Sequence, residues 1–263
     1  MVDPDFKTLI ELSANAGDMT AIEPAMLRNF LNESSLSSQG EKIKIKEIKD
    51  YKIKLDGRVL NARMYDDANS KSAIVYYHGG GFLFGNIETH DNYCRFLARE
   101  SRVKIISIEY RLAPEHKFPD AFNDAYDSFQ YIYRKRREFG IEGLIGVGGD
   151  SAGANLSAAL SLKCRDEGSE MPAMQILFYP SLAPDNFSRS FMEYSDNYVL
   201  TGKLSLISSI LTRAIRVGFL SLSFRIIGSH GLGLMSFTAS SSSSPVMDVN
   251  SLRKLILERI FSM

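Results

Sequence analysis

The chain has 263 residues, 44% of them hydrophobic, and zero formal net charge from 31 basic and 31 acidic side chains. That length builds one sizeable core as a single α/β domain, and the balanced charge excludes the basic excess expected for nucleic-acid or anionic-membrane partners. Two cysteines, Cys94 and Cys164, are too few for a disulfide framework or a metal cluster and read as free thiols. The N-terminus lacks the basic and apolar regions of a signal peptide and no 18-residue apolar run occurs, so we expect a cytoplasmic chain without membrane insertion.

In chain order, residues 5–36 place apolar side chains at helical spacing, first Phe6, Leu9, Ile10 and Leu12, then Ile22, Met26, Leu27 and Phe30, which predicts two helices before any sheet. Residues 43–53 alternate strictly. Asp56-Gly57 supplies a turn, and Val59 to Tyr65 returns, so an antiparallel edge hairpin is expected. The pattern then changes to short apolar runs at Ser72–Tyr77, Val103–Ile108, Leu144–Val147 and Met174–Tyr179, as strands buried on both faces require. Helical stretches at 89–100, 120–138 and 152–166 separate them. Strand and helix in alternation predict an α/β fold with a mostly parallel sheet, helices on both faces and ligand sites at the carboxyl ends of the strands.

Motifs fall at three of those ends. Gly149-Asp150-Ser151-Ala152-Gly153 joins a strand to a helix and has the G-x-S-x-G form of a nucleophile elbow. Such a turn exposes the serine hydroxyl, and the following helix aims its amides and positive end at a developing oxyanion. His78-Gly79-Gly80-Gly81-Phe82 follows the strand at Ser72–Tyr77, and its glycines let backbone amides turn toward a reacting carbonyl oxygen. Each such donor stabilises the transition state by about 3 to 4 kcal/mol. The third motif, Tyr110 to Pro119, reads as structural, with an ion pair between Arg111 and Glu115 beneath the site and His116 as a loop histidine. The basic run Arg134 to Arg137 reads as a solvated helix face. No metal-ligand cluster and no phosphate loop is present.

In this order and spacing, HGGGF, YRLAPEHKFP and GDSAGANL resemble the hormone-sensitive-lipase-like esterases. The resemblance covers residues 1–203. It implies an eight-stranded α/β-hydrolase sheet under a helical cap, and hydrolysis of small-molecule short acyl esters without a cofactor or metal. It implies Ser151 as nucleophile, an oxyanion hole made by the amides of Gly80, Gly81 and Ala152, and His78 and Gly79 as residues that shape the loop. His90 fits the family pattern in a packing role. The corresponding domain reading is an N-terminal cap segment at 1–42, a hydrolase core with part of the cap at 43–203, and an atypical region at 204–263. Phe82, Phe84, Phe187, Phe191, Tyr194 and Tyr198 lie in or near the expected cleft and cap.

The chain departs from the family toward its end. The chemistry needs an acid and then a histidine after the serine, and His230 is the one histidine that follows Ser151. Asp248 lies near the family's interval for the acid, but no strand is expected before it and no histidine follows it. In the competing register His230 is the base, after a strand-like Leu220–Ile226, with no room for the strand that would carry the acid. This second register is the one favoured here. Residues 197–247 contain no Asp or Glu, and twelve serines fall within 204–244. An internal deletion or frame shift near Lys203 accounts for both. It leaves two functional expectations: an impaired ester hydrolase, or a non-catalytic remnant of the family. Loss of an interior strand would also expose apolar sheet surface and favour a homo-oligomer.

Overall fold

The computed structural model describes residues 22–182, Glu193 and the backbone of 235–237. Helix α1 (Pro24–Ser37) starts on a proline, whose fixed φ suits a first turn, and the Glu23 carboxylate accepts the amides of Ala25 at 3.0 Å and Met26 at 3.1 Å. The hairpin follows as β1 (Glu47–Leu55) and β2 (Arg58–Asp66), closed at Leu55↔Arg58 around Gly57, whose φ is +68°. β1 starts at Glu47 because its partner ends at Asp66. The earlier residues of the alternating run are held elsewhere, Ile43 by Asn92 at 2.8 Å and Lys46 by Asp67 at 2.9 Å.

Among the described residues, strands β3 (Ala73–Tyr77), β4 (Lys104–Glu109), β5 (Ile145–Asp150), β6 (Gln175–Phe178) and β7 (Met235–Phe237) join the hairpin in a seven-stranded sheet in the order β1-β2-β4-β3-β5-β6-β7. β2 runs antiparallel to β4, and every pairing from β4 onward is parallel. The fold class is the expected one. Every residue of β3 and β5 is buried, as sheet centres covered on both faces demand. The sequence reading did not anticipate β7, because three residues are too few to show a period.

Alternation along β3 divides the core. Val75 and Tyr77 point to the layer of α3 (Asp120–Arg134) and α4 (Ala152–Glu167), and Ile74 and Tyr76 to the layer of α2 (Asp91–Ser101). The helix expected over 120–138 stops at Arg134 and continues as a 3₁₀ turn, Arg136–Phe139, that Gly140 ends at φ +62°. Among the described residues no helix is long and apolar enough to cross a membrane.

The expected ion pair between Arg111 and Glu115 does not form. Arg111 instead reaches into α3, to Asp124 at 2.8 and 2.9 Å and Asp120 at 3.1 Å, while Glu115 pairs with Arg28 at 2.6 Å. The cause is burial. Asp124 is fully buried and also takes Arg58 at 2.5 Å, so two guanidinium groups converge on the carboxylate that most needs them. Asp124→Ala should therefore cost about 3 kcal/mol, read as a lower denaturant midpoint at unchanged slope. Glu115→Ala, at a half-exposed pair, should cost under about 1 kcal/mol.

Candidate active site

Parallel pairing sets Tyr77 opposite Gly149, so the loop leaving β3 and the turn leaving β5 emerge side by side at the carboxyl edge. In that turn Ser151 has φ +50° and ψ −113°, a backbone state that costs a residue with a Cβ about 1–3 kcal/mol. The surroundings hold it there. The Ser151 amide donates to the Phe178 carbonyl at 3.0 Å, and the Asn155 amide donates to the Ser151 carbonyl at 3.0 Å. A Cβ at Gly149 or Gly153 would run into the Tyr77 carbonyl, which is why the motif needs glycine on both sides. Ala152 opens α4, so its amide is one of the first four, which lack an intrahelical acceptor.

The glycine loop turns tightly beside it. Gly80, Gly81 and Phe82 have φ of +115°, +58° and +61°, and the Gly80 carbonyl accepts the amides of Leu83 at 2.9 Å and Phe84 at 3.1 Å. The Tyr110 hydroxyl donates to the His78 carbonyl at 2.7 Å, and the Ala113 amide to the Phe82 carbonyl at 2.9 Å, which fastens the third motif to the loop.

Between loop and turn sits Asp150, a residue that the sequence reading passed over as a variable position. Its buried carboxylate accepts the Gly79 amide at 2.9 Å and the Tyr76 hydroxyl at 2.6 Å, with His90 Nε2 at 3.6 Å. Burial alone raises its pKa, but hydrogen bonding and charge from His90, with the Tyr76 bond, outweigh that and hold it below the usual carboxylate value. A Cβ at Gly79 would collide with this carboxylate. The available signal was an Asp at the end of a wholly buried strand, which demands partners.

His78 is fully buried. Its ring stacks on Tyr110 with centroids 4.3 Å apart, its Nδ1 lies 2.7 Å from the Gly79 carbonyl, and its Nε2 has no hydrogen-bond partner among the described residues. Burial first, and then the neighbouring His90, push its pKa down to about 3. His90 is in polar contact rather than merely packed, with Nδ1 2.9 Å from the Thr89 hydroxyl. His116 is exposed beside Asp120. An open cleft of about 440 Å³ is lined by residues that include Gln39, His90, Tyr93, Asp150 and Tyr179, and Ser151 does not line it. His230, Asp248, Leu220–Ile226, Phe187, Phe191, Tyr194 and Tyr198 lie outside the described residues.

The depressed pKa fixes a sign. Unfolded, His78 takes a proton near its ordinary pKa of 6.5, whereas folded it stays neutral down to about pH 3. Protons therefore favour the unfolded chain between those limits, and stability falls by about 1.4 kcal/mol per pH unit for this group. The melting temperature should drop as pH is lowered from 6.5 to 4.5, before the lowered-pKa carboxylates Asp66, Asp91 and Asp150 begin to take up protons. A flat profile in that window would contradict the burial of a neutral imidazole.

Comparison with known proteins yields a consistent picture. Residues 74–213 match a family model described as alpha/beta hydrolase fold. The chain is similar to an arylesterase of Saccharolobus solfataricus, 33% identical over 76% of this chain and 66% of the relative. It is also similar to the carboxylic ester hydrolase LipN of Mycobacterium tuberculosis, 42% identical over 49% of this chain and 36% of the relative. The match to LipN and to the esterase LipI spans less than half of those curated relatives, 36% and 43% of their lengths. Among solved structures, "ESTFA (Fe-lacking apo form)" is 80% identical with a TM-score of 0.79, covering 80% of this chain and 70% of that one. The hyperthermophilic esterase of Pyrobaculum calidifontis is 34% identical with a TM-score of 0.74, covering 80% and 69%.

Proposed function

This chain belongs to the α/β-hydrolase fold family, among its hormone-sensitive-lipase-like esterases, and we propose that it is a serine carboxylic-ester hydrolase acting on short acyl esters through an acyl-enzyme. The Ser151 hydroxyl attacks the ester carbonyl and gives its proton to a base, for which His230 is the histidine the sequence offers. Negative charge moves onto the carbonyl oxygen, where the amides of Gly80, Gly81 and Ala152 receive it. The alkoxide leaves with the proton, and water then cleaves the acyl-serine to a carboxylic acid. The observation that carries this reading is the Gly79–Asp150 bond, which ties the oxyanion loop to the residue next to the nucleophile. The named esterases among its relatives support the substrate class.

The domain division proposed with it is an N-terminal cap segment at 1–42, a hydrolase core with part of the cap at 43–203, and an atypical region at 204–263. One solved relative is described by its lack of iron. Among the described residues no group of three or more His, Cys, Asp or Glu side chains is arranged to hold a metal ion, and Cys94 and Cys164 are buried in separate clusters of the core. Those residues do not fit an iron centre, and the chemistry proposed for this chain uses none.

A second reading, a non-catalytic remnant, is favoured by the absence of acidic residues from 197–247 and by a family match that ends at residue 213. Loss of a triad acid alone lowers kcat by roughly 10⁴, because the imidazole loses its tautomer and orientation, while the oxyanion hole still gives roughly 10³-fold catalysis over water. Purified protein should hydrolyse p-nitrophenyl butyrate faster than Ser151→Ala, and His230→Ala should fall toward the Ser151→Ala rate. Equal rates for the parent and Ser151→Ala would reject the hydrolase and select the remnant.

A further inference from the structure

We propose that Arg28, on a helix fifty-five residues upstream of the loop it touches, is a positioning residue for the oxyanion loop. The inference rests on the hydrolase reading of Ser151 and assigns part of that site's geometry to α1.

The loop needs outside support. Gly80, Gly81, Phe82 and Gly85 all have positive φ, and glycine gives the backbone many competing states. One end of the loop is fixed from the sheet side, where Asp150 holds the Gly79 amide at 2.9 Å. The other end is fixed from α1. Arg28 Nε donates to the Leu83 carbonyl at 2.6 Å, and Nη2 donates to the Ala113 carbonyl at 2.5 Å. The rest of the fork is oriented by the Glu115 carboxylate at 2.6 and 3.0 Å. One helical turn on, on the same face, Asn32 Oδ1 accepts the Gly85 amide at 2.9 Å. Since the Ala113 amide itself bonds the Phe82 carbonyl, Arg28 joins three segments around the loop's far end. The amides of Gly80 and Gly81 lie between the two anchors.

A purely structural role would predict a different arrangement. α1 buries only Leu27 and leaves Met26 and Phe30 exposed, so the helix adds little apolar burial to the core. Glu115 is half exposed, and a pair of that kind contributes little to stability. What the guanidinium fork supplies is planar, directional hold on two carbonyls, a geometry that lysine cannot reproduce. Displacing catalytic donors by about 1 Å costs on the order of 100-fold in rate.

The test uses the full-length protein with p-nitrophenyl butyrate, and backbone amide exchange over 79–86. Arg28→Met is expected to lower kcat by about 10- to 100-fold with KM changed less than about threefold, and to speed exchange over 79–86 while the β3 and β5 amides keep their protection. Asn32→Ala, on the same face, should show the same pattern more weakly. Met26→Ala, on the exposed side of the same helix and away from the fork, should keep kcat within about twofold. Unchanged kcat in Arg28→Met, or a rise in KM alone, would overturn the proposal. So would exchange that accelerates equally across the whole sheet in both Arg28→Met and Asn32→Ala, since that is loss of fold. A parent protein without Ser151-dependent hydrolysis would instead remove the hydrolase reading. Unaltered exchange over 79–86 in Arg28→Met would then still sink the clamp.

Discussion

Removing a carboxylate from water costs several kcal/mol unless donors surround it. Asp150, at the last position of β5, meets that cost with a tyrosine hydroxyl, a histidine nitrogen and one backbone amide. The amide is the consequential partner. It belongs to Gly79, in the loop that leaves the neighbouring strand, and Asp150 is covalently next to Ser151. One buried charge therefore sets the spacing between the turn that carries the hydroxyl and the loop that carries the glycines. It also explains the first glycine of the triple, because the carboxylate fills the space a side chain would take.

The rest of the sheet is arranged to make that contact available. Successive tyrosines at the end of β3 serve opposite faces: Tyr76 donates to Asp150, and Tyr77 donates to the Ala125 carbonyl of α3 at 2.7 Å. Tyr77 also abuts Gly149 and Gly153, so the elbow is packed directly against the strand that launches the loop. Below it, Tyr110 supports His78 by stacking and by its hydroxyl, which keeps a neutral imidazole beneath the glycines. The positive φ at Ser151 persists because contacts on both sides over-determine it.

Much of this was legible without coordinates, for a physical reason. Strands buried on both faces must be apolar throughout, and Ser72–Tyr77, Val103–Ile108, Leu144–Val147 and Met174–Tyr179 mark β3 to β6 within a few residues. Turn and elbow chemistry is likewise local: Asp56-Gly57 and Gly149 to Gly153 announce themselves. Partnerships between charges are not local. Arg111 has Glu115 four residues away in sequence yet pairs with Asp124, because the buried carboxylate outbids the exposed one. Arg28 and Glu115 meet across 87 positions, and no period or motif records that. Asp150 occupies an unspecified position of G-x-S-x-G, because that pattern states which neighbours must be small and is silent on which side chain must be charged.

The account holds that the Ser151 hydroxyl and the amides of Gly80, Gly81 and Ala152 face one point in space. The most direct measurement is a crystal structure of the protein after treatment with a p-nitrophenyl alkylphosphonate, which forms a covalent adduct that mimics the tetrahedral intermediate. The predicted result is phosphorus on Ser151 Oγ, with one phosphoryl oxygen at about 3 Å from those three nitrogens. An adduct whose oxygens all point away from the glycine loop, or labelling that bypasses Ser151, would contradict it.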